Sequence, residues 1–170
     1  MISVDYCRLL ARCNRWMNER MFATASRIDD AERRADRGAF FGSIHRTLNH
    51  ILWGDSVWLA RFTGAAFATP AYGADTIADF ARLQHERDIA DTAILNWAGK
   101  LTPAWLDGTL EYRAAADGRQ RTVPAWVAAT HLFQHATHHR AQVVTLMTQL
   151  GYDVGATDLP ALPGVVRVLD

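Results

Sequence analysis

Four of the seven histidines in this chain fall within nine residues, in the run His131-Leu-Phe-Gln-His135-Ala-Thr-His138-His139. Histidines four apart on a helix share one face, with Cβ atoms about 5–6 Å apart. Two neutral imidazoles so placed can reach one divalent ion through bonds of about 2.0–2.1 Å. His131 with His135 and His135 with His139 both have this spacing. The apolar pattern around them chooses between the pairs. Ala128, Leu132, His135, His139, Val143, Leu146 and Leu150 form one ridge at spacings of three and four, so His135 and His139 stand where side chains face a core. His131 and His138 lie on the adjoining ridge with Gln142 and read as pocket-lining or supporting residues.

Two imidazoles hold a metal weakly, so a third ligand from another helix is expected. His50 follows Leu48-Asn49 and precedes Ile51-Leu52, beside an apolar ridge. Packed helix axes lie about 8–10 Å apart, a distance that imidazoles reaching inward from both sides can bridge. His45 and His85 read instead as ordinary hydrogen-bonded or surface histidines. The competing account of the His-rich run is a chance cluster or a surface metal scavenger. A zincin protease has no support, because the HxxxH pairs lack the glutamate of HExxH. GxSxG, P-loop, GxGxxG and paired-carboxylate motifs are also missing. The six tryptophans read as core or interface residues.

Four amphipathic segments must position these histidines. Ser3 suits the N-cap of a first helix running to about residue 24, with Tyr6, Leu9, Leu10, Cys13, Trp16, Met17 and Met21 at helical spacing. Asn14, between Leu10 and Met17, needs a partner if it points inward. A charged connection ends in Gly38 and Gly42. Ser43 then caps a second helix to about Phe62, whose apolar stripe includes the unusual Asp55. A loop spans residues 63–74. Asp75 or Thr76 is expected to cap a third helix to about Trp97. Alternation over Thr109–Arg113, the Asp117-Gly118 turn signal and a return over Gln120–Val123 predict a short β-hairpin. Pro124 suits the first turn of a fourth helix, and Gly151 its left-handed stop. The tail through Pro160 and Pro163 is expected to be irregular. The fold class is therefore all-α, a four-helix bundle in one domain over residues 1–170.

The 18 basic and 18 acidic side chains cancel, which argues against nucleic acid as a partner. No segment approaches the roughly 18 apolar residues of a membrane span, and the N-terminus has no signal-peptide pattern. Cys7 and Cys13 are six apart, fit no CxxC motif, and read as small apolar fillers in a reducing, cytoplasmic setting.

At three stretches the sequence resembles the DinB/YfiT-like family. These are Tyr6 to Met21 with Asn-Arg-Trp-Met-Asn, Gly42 to Phe62 with Thr-Leu-Asn-His-Ile-Leu, and His131 to Leu150 with His-Xaa-Xaa-Xaa-His-His-Arg-Ala-Gln-Val. The family commonly has glycine before the glutamine, where this chain has Ala141. The resemblance implies an up-down-down-up order of the four helices and a frequently dimeric assembly. It also implies a metal triad of one histidine from the second helix and two from the last, which maps onto His50, His135 and His139. The ion implied is nickel or zinc, with iron and manganese as other candidates. Family members of known activity are thiol-dependent transferases or isomerases, so a low-molecular-weight thiol is the implied cosubstrate.

Three neutral imidazoles leave positions open for water or substrate, as in catalytic rather than structural sites. The expected function is a metal-dependent transferase using a thiol, or a hydrolase, acting on a small molecule. The alternatives are a non-catalytic metal-binding or stress-response protein and a partner-binding helical module. A homodimer is also expected, because Trp53 and Trp58 cannot both share the stripe of Leu48, Ile51 and Leu59.

Overall fold

The computed structural model describes residues 2–65, 76–115 and 117–166. Its elements are α1 (Val4–Ala25), α2 (Asp30–Arg34), α3 (Ile44–Thr63), α4 (Phe80–Lys100), α5 (Pro103–Asp107), the strands β1 (Thr109–Arg113) and β2 (Gln120–Pro124), and α6 (Ala125–Gln149). A 3₁₀ turn, Leu159–Ala161, interrupts the irregular tail. No helix among the described residues is long and apolar enough to cross a membrane.

The helices begin where side chains can satisfy free backbone amides. Ser3 accepts from the Tyr6 amide and Ser43 from the Arg46 amide. The third long helix starts later than its sequence pattern suggests. Asp79 caps it, accepting from the Arg82 amide. Thr76 instead donates its hydroxyl to Asn49 Oδ1, which also accepts from the Ile77 amide. Asn49 Nδ2 and His45 Nε2 both donate to the Ile77 carbonyl. These bonds tie an extended segment to α3 and postpone the helix. Asp75 lies outside the described residues, as does most of the loop expected over 63–74.

Pro124 also differs from expectation. It closes β2 opposite Thr109 and stands just before α6 rather than in its first turn. The hairpin is antiparallel, pairing Leu110 with Val123 and Tyr112 with Arg121. At the other end of α6, Gly151 takes φ +80° and its amide bonds the Thr148 carbonyl, a left-handed stop that a Cβ would disfavour.

Cross-helix pairs fix the directions of the four long helices. Arg8 reaches the Gly99 carbonyl, Asn14 reaches Asp91 and Phe22 stacks on Phe80, so α1 and α4 are antiparallel. His45 faces Phe80 and Phe62 stacks on Trp97, so α3 and α4 are parallel. His50 meets His139 while Trp58 meets His131, so α3 and α6 are antiparallel. The order is up-down-down-up, with α1 flanked by α4 and α6 and α3 flanked by the same two.

The core has two lobes. One gathers Met21, Phe22, Ile44, Leu48, Ile51, Leu83, Val143 and Met147; the other gathers Cys7, Phe62, Ile94, Trp97, Leu106, Leu132 and Phe133. The buried face of α1 is rotated from the expected stripe. Cys7, Ala11, Asn14, Asn18 and Met21 are buried, while Tyr6 is exposed and Leu9, Leu10 and Trp16 are half-buried. The rotation has a physical cause: this face must present Asn14 and Asn18 to charged groups at the bundle centre. The two cysteines are free thiols, Cys7 buried and Cys13 half-buried. Burial pushes the Cys7 thiol up to about 11, consistent with a filler rather than a reactive group.

Candidate metal centre

The seam between α3 and α6 carries the histidines. His50 comes from α3, and His135 and His139 from successive turns of α6. Their ring nitrogens lie within 4.8 Å of one another. His50 Nε2 is 3.0 Å from His135 Nε2. The ring centroids of His139 are 4.5 Å from His50 and 4.6 Å from His135. Two nitrogens bound at 2.0–2.1 Å to one ion, at angles of 90–110°, would lie about 2.9–3.4 Å apart. The His50–His135 separation falls inside that range, and an all-nitrogen donor set suits zinc, nickel and related divalent ions. The residues therefore fit the metal implied for this site.

Each ring is held from behind. Phe41, in the connection preceding α3, stacks on His50 with centroids 3.9 Å apart, and Trp53 lies near-parallel to the same ring at 5.6 Å. Gln142 Oε1 accepts from His139 Nδ1 at 2.9 Å, while its Nε2 donates to His138 Nε2 at 3.3 Å. A protonated Nδ1 leaves the Nε2 lone pair of His139 for the cluster, the way an outer partner fixes a ligand's tautomer. His135 lies against the backbone of α3. A Cβ on Gly54 would come within 2.5 Å of His135 Cε1 and 2.9 Å of Nδ1. Glycine inside a helix costs about 1 kcal/mol relative to alanine, and here the close approach of the ring accounts for it. His135 Nδ1 is buried with no hydrogen-bond partner among the described residues.

The cluster disfavours protons. Burial and then the neighbouring His139 hold His50 down at about 4. Burial, followed by His139 and His50, holds His135 down at about 3. His139 is also lowered by burial, with the Gln142 bond opposing. The rings are thus neutral at ordinary pH, the form in which an imidazole can bind a metal.

His131 and His138 are exposed and flank the trio rather than join it. His131 lies 5.6 Å from His135 and meets the Trp58 ring edge-on at 4.9 Å. His45 is buried and hydrogen-bonded, and His85 is exposed, as expected of ordinary histidines.

Beneath the trio lies a set of buried charges that sequence reasoning only half anticipated. Arg87 contacts Asp55 at 2.8 Å and Asp91 at 2.9 Å. Asp91 accepts from Asn14 at 3.2 Å and from Asn18 at 2.9 Å. Arg140 donates to Asn14 Oδ1 and to Thr137. Burial pushes the Asp55 carboxyl up, opposed by the guanidiniums of Arg87 and Arg140. Every long helix contributes to this network. The signal for it was present: Arg87 and Asp91 fall on the same stripe of α4 as Leu83, Ile94 and Ala98.

The DinB family model matches residues 1–165. Protein DinB of Bacillus subtilis (strain 168) is 20% identical over 163 residues, covering 91% of each chain. No solved structure matches. One relative at that identity would leave membership open, but a family model spanning nearly the whole chain does not: the chain belongs to the DinB family.

Proposed function

We propose that His50, His135 and His139 hold one divalent cation, nickel or zinc, and that the chain is a metal-dependent transferase acting with a low-molecular-weight thiol. The observation that carries this is the convergence of three neutral imidazoles within 4.8 Å with no carboxylate in the cluster. Such a set keeps the full charge of the cation and leaves coordination positions open. When bound, the cation supplies the positive charge that lowers the pKa of a thiol beside it.

The chain's own residues do the rest. Gln142 fixes the tautomer of His139, Gly54 lets His135 approach α3, and the rings of Phe41 and Trp53 shield His50 from water. His131 and His138, exposed at the margin, mark the side from which a small molecule enters. In the reaction the thiol gives up its proton, its sulfur bonds to an electrophilic carbon, and the leaving group departs with the electron pair and takes up a proton. Hydrolysis is the same displacement with water in place of the thiol. A homodimer and a cytoplasmic setting belong to the same proposal, and light scattering tests the first.

Elemental analysis of the purified protein, followed by turnover assays of electrophiles with and without thiol, tests the function. One metal per chain and thiol-dependent turnover lost in His135→Ala are expected. Turnover independent of thiol assigns the hydrolytic chemistry, and stoichiometric metal with no turnover in either assay assigns a metal-binding protein.

A further inference from the structure

The seam between α3 and α6 does not end at the histidines. Beyond His131, Trp58 packs against Tyr112 of the hairpin at 5.2 Å. The guanidinium of Arg61 sits 4.5 Å from the centres of both rings. Imidazoles, indole, phenol and guanidinium thus follow one another along a single path leading away from the trio.

The arginines near the surface divide into ion-paired ones and ones held by carbonyls and rings, as Arg12, Arg20 and Arg27 are. Arg8, Arg15, Arg34, Arg37 and Arg121 each face a carboxylate. Arg61 faces none among the described residues. Its one hydrogen bond goes to the Arg113 carbonyl at 3.1 Å. A guanidinium has five N–H donors in a planar fork. The two rings, whose centres are 5.2 Å apart, pack against one side of the group and leave edge donors unused. Burial pulls Arg61 below the ordinary arginine value, with only Tyr112 opposing. Across the hairpin, by contrast, Arg121 contacts Asp117 at 2.8 Å. A half-buried cation with no counter-charge among the described residues, held against aromatic rings on the seam that carries the histidines, suits recognition of a carboxylate.

Its position sets the length of the ligand. His135 packs against Gly54, and Arg61 lies seven residues further along α3. At 1.5 Å per residue that is about 10 Å along the helix axis. We propose that Arg61, framed by Trp58, Tyr112 and His131, binds a carboxylate of the thiol cosubstrate, so that this chain selects an acidic thiol whose carboxylate lies about 10 Å from its sulfur. This rests on the reading of the histidine trio as the metal centre that receives the sulfur.

Straight-chain mercaptoalkanoates and the matching mercaptoalkanols provide the test, with binding to the metal-loaded protein read by calorimetry. Mercaptooctanoate should bind about 10- to 100-fold tighter than mercaptooctanol, the worth of a charge-assisted hydrogen bond. Mercaptopropionate should gain nothing over mercaptoethanol, because its carboxylate stops short of Arg61. Arg61→Gln should erase the preference for acid while leaving alcohol binding and metal stoichiometry unchanged. Arg61→Lys, which keeps the charge and loses the fork, should retain part of it. Equal binding of acid and alcohol by the unsubstituted protein overturns the proposal. So does a preference that survives Arg61→Gln, which would confine Arg61 to fastening the hairpin. If the protein takes up no metal, the metal-centre reading fails separately. Suberate against octanediol on the same protein then decides the subsite: a suberate preference lost in Arg61→Gln supports it, and no preference overturns it.

Discussion

The Asp55–Arg87–Asp91–Arg140 network and the His50–His135–His139 trio both place polar side chains among the four long helices, yet only the network carries its own counter-charges. Arg87 meets both carboxylates, Asn14 and Asn18 take up remaining bonds of Asp91, and Arg140 joins through Asn14, so two cations balance two anions. The trio has three imidazoles that would repel one another once protonated, and no acidic partner among its members. A self-balanced cluster needs nothing from solution and suits a structural role. An unbalanced one is stable only when its rings stay neutral or share a cation. Polarity in a core is therefore a poor guide to function by itself; the sign left over after local pairing is the better one.

The sharpest way to break this contrast is Arg87→Ala. It strands two buried carboxylates and should destabilise the protein by about 3–5 kcal/mol, measured by urea unfolding. Replacing the network as a whole, with Arg87→Met, Arg140→Met, Asp55→Asn and Asp91→Asn together, should cost much less. An Arg87→Ala protein as stable as the parent would remove the network from the structural side of the comparison.

His135→Ala should act in the opposite currency. Metal affinity should fall by more than the roughly 10- to 100-fold that losing an outer supporting partner costs, while urea stability without metal changes less than in Arg87→Ala. His85→Ala, on an exposed position, should keep its metal in the same dialysis experiment. Full retention by His135→Ala would remove that residue from the ligand set.

Acid should separate the two regions again. His50 and His135 are held at about 4 and about 3 in the folded chain, below the unfolded value of about 6.5. Below pH 6.5 the unfolded chain binds more protons than the folded one, so these rings make the metal-free protein less stable as pH falls from about 6.5 towards 4. Metal should leave over the same range, since protons compete for the nitrogens. Unfolding curves for the parent and for His50→Ala check the sign: the substitution should flatten the dependence.

The smallest effect is expected from Gln142→Ala. It frees the His139 tautomer without removing a donor, and metal affinity should drop by about 10-fold, at the low end for outer partners. An unchanged affinity in a metal-competition titration would show that the Gln142 bond does not orient the ring.

The trio could be seen in the sequence because helical spacing and core patterning act together there: His135 and His139 replace apolar residues on a ridge that is otherwise unbroken. The bundle and the hairpin were visible for the same reason, through caps, glycines and alternation. Arg87 and Asp91 were legible only through their place on the stripe of Leu83 and Ile94, and they and Arg140 were passed over because a charged residue on a helix normally faces solvent. Only Asn14 and Asp55, stranded among apolar neighbours, hinted at what they meet. The late start of α4 was hidden because it depends on Asn49, on another helix. Phe41 and Arg61 act through contacts with α6 and the hairpin, and one-dimensional spacing does not encode such contacts.

The 85 residues separating His50 from His135 make any ion shared between them a clip on half of the chain. An unfolded chain retains at most the local His135–His139 pair, so most of the binding free energy is available only after α3 and α6 have met. Metal should then raise the unfolding free energy with its free concentration, by about 2.7 kcal/mol at a hundredfold excess over the dissociation constant, less whatever the local pair retains. The long closure also sets an order of events. Loop entropy must be spent before the third nitrogen arrives, so added metal should slow unfolding more than it speeds folding.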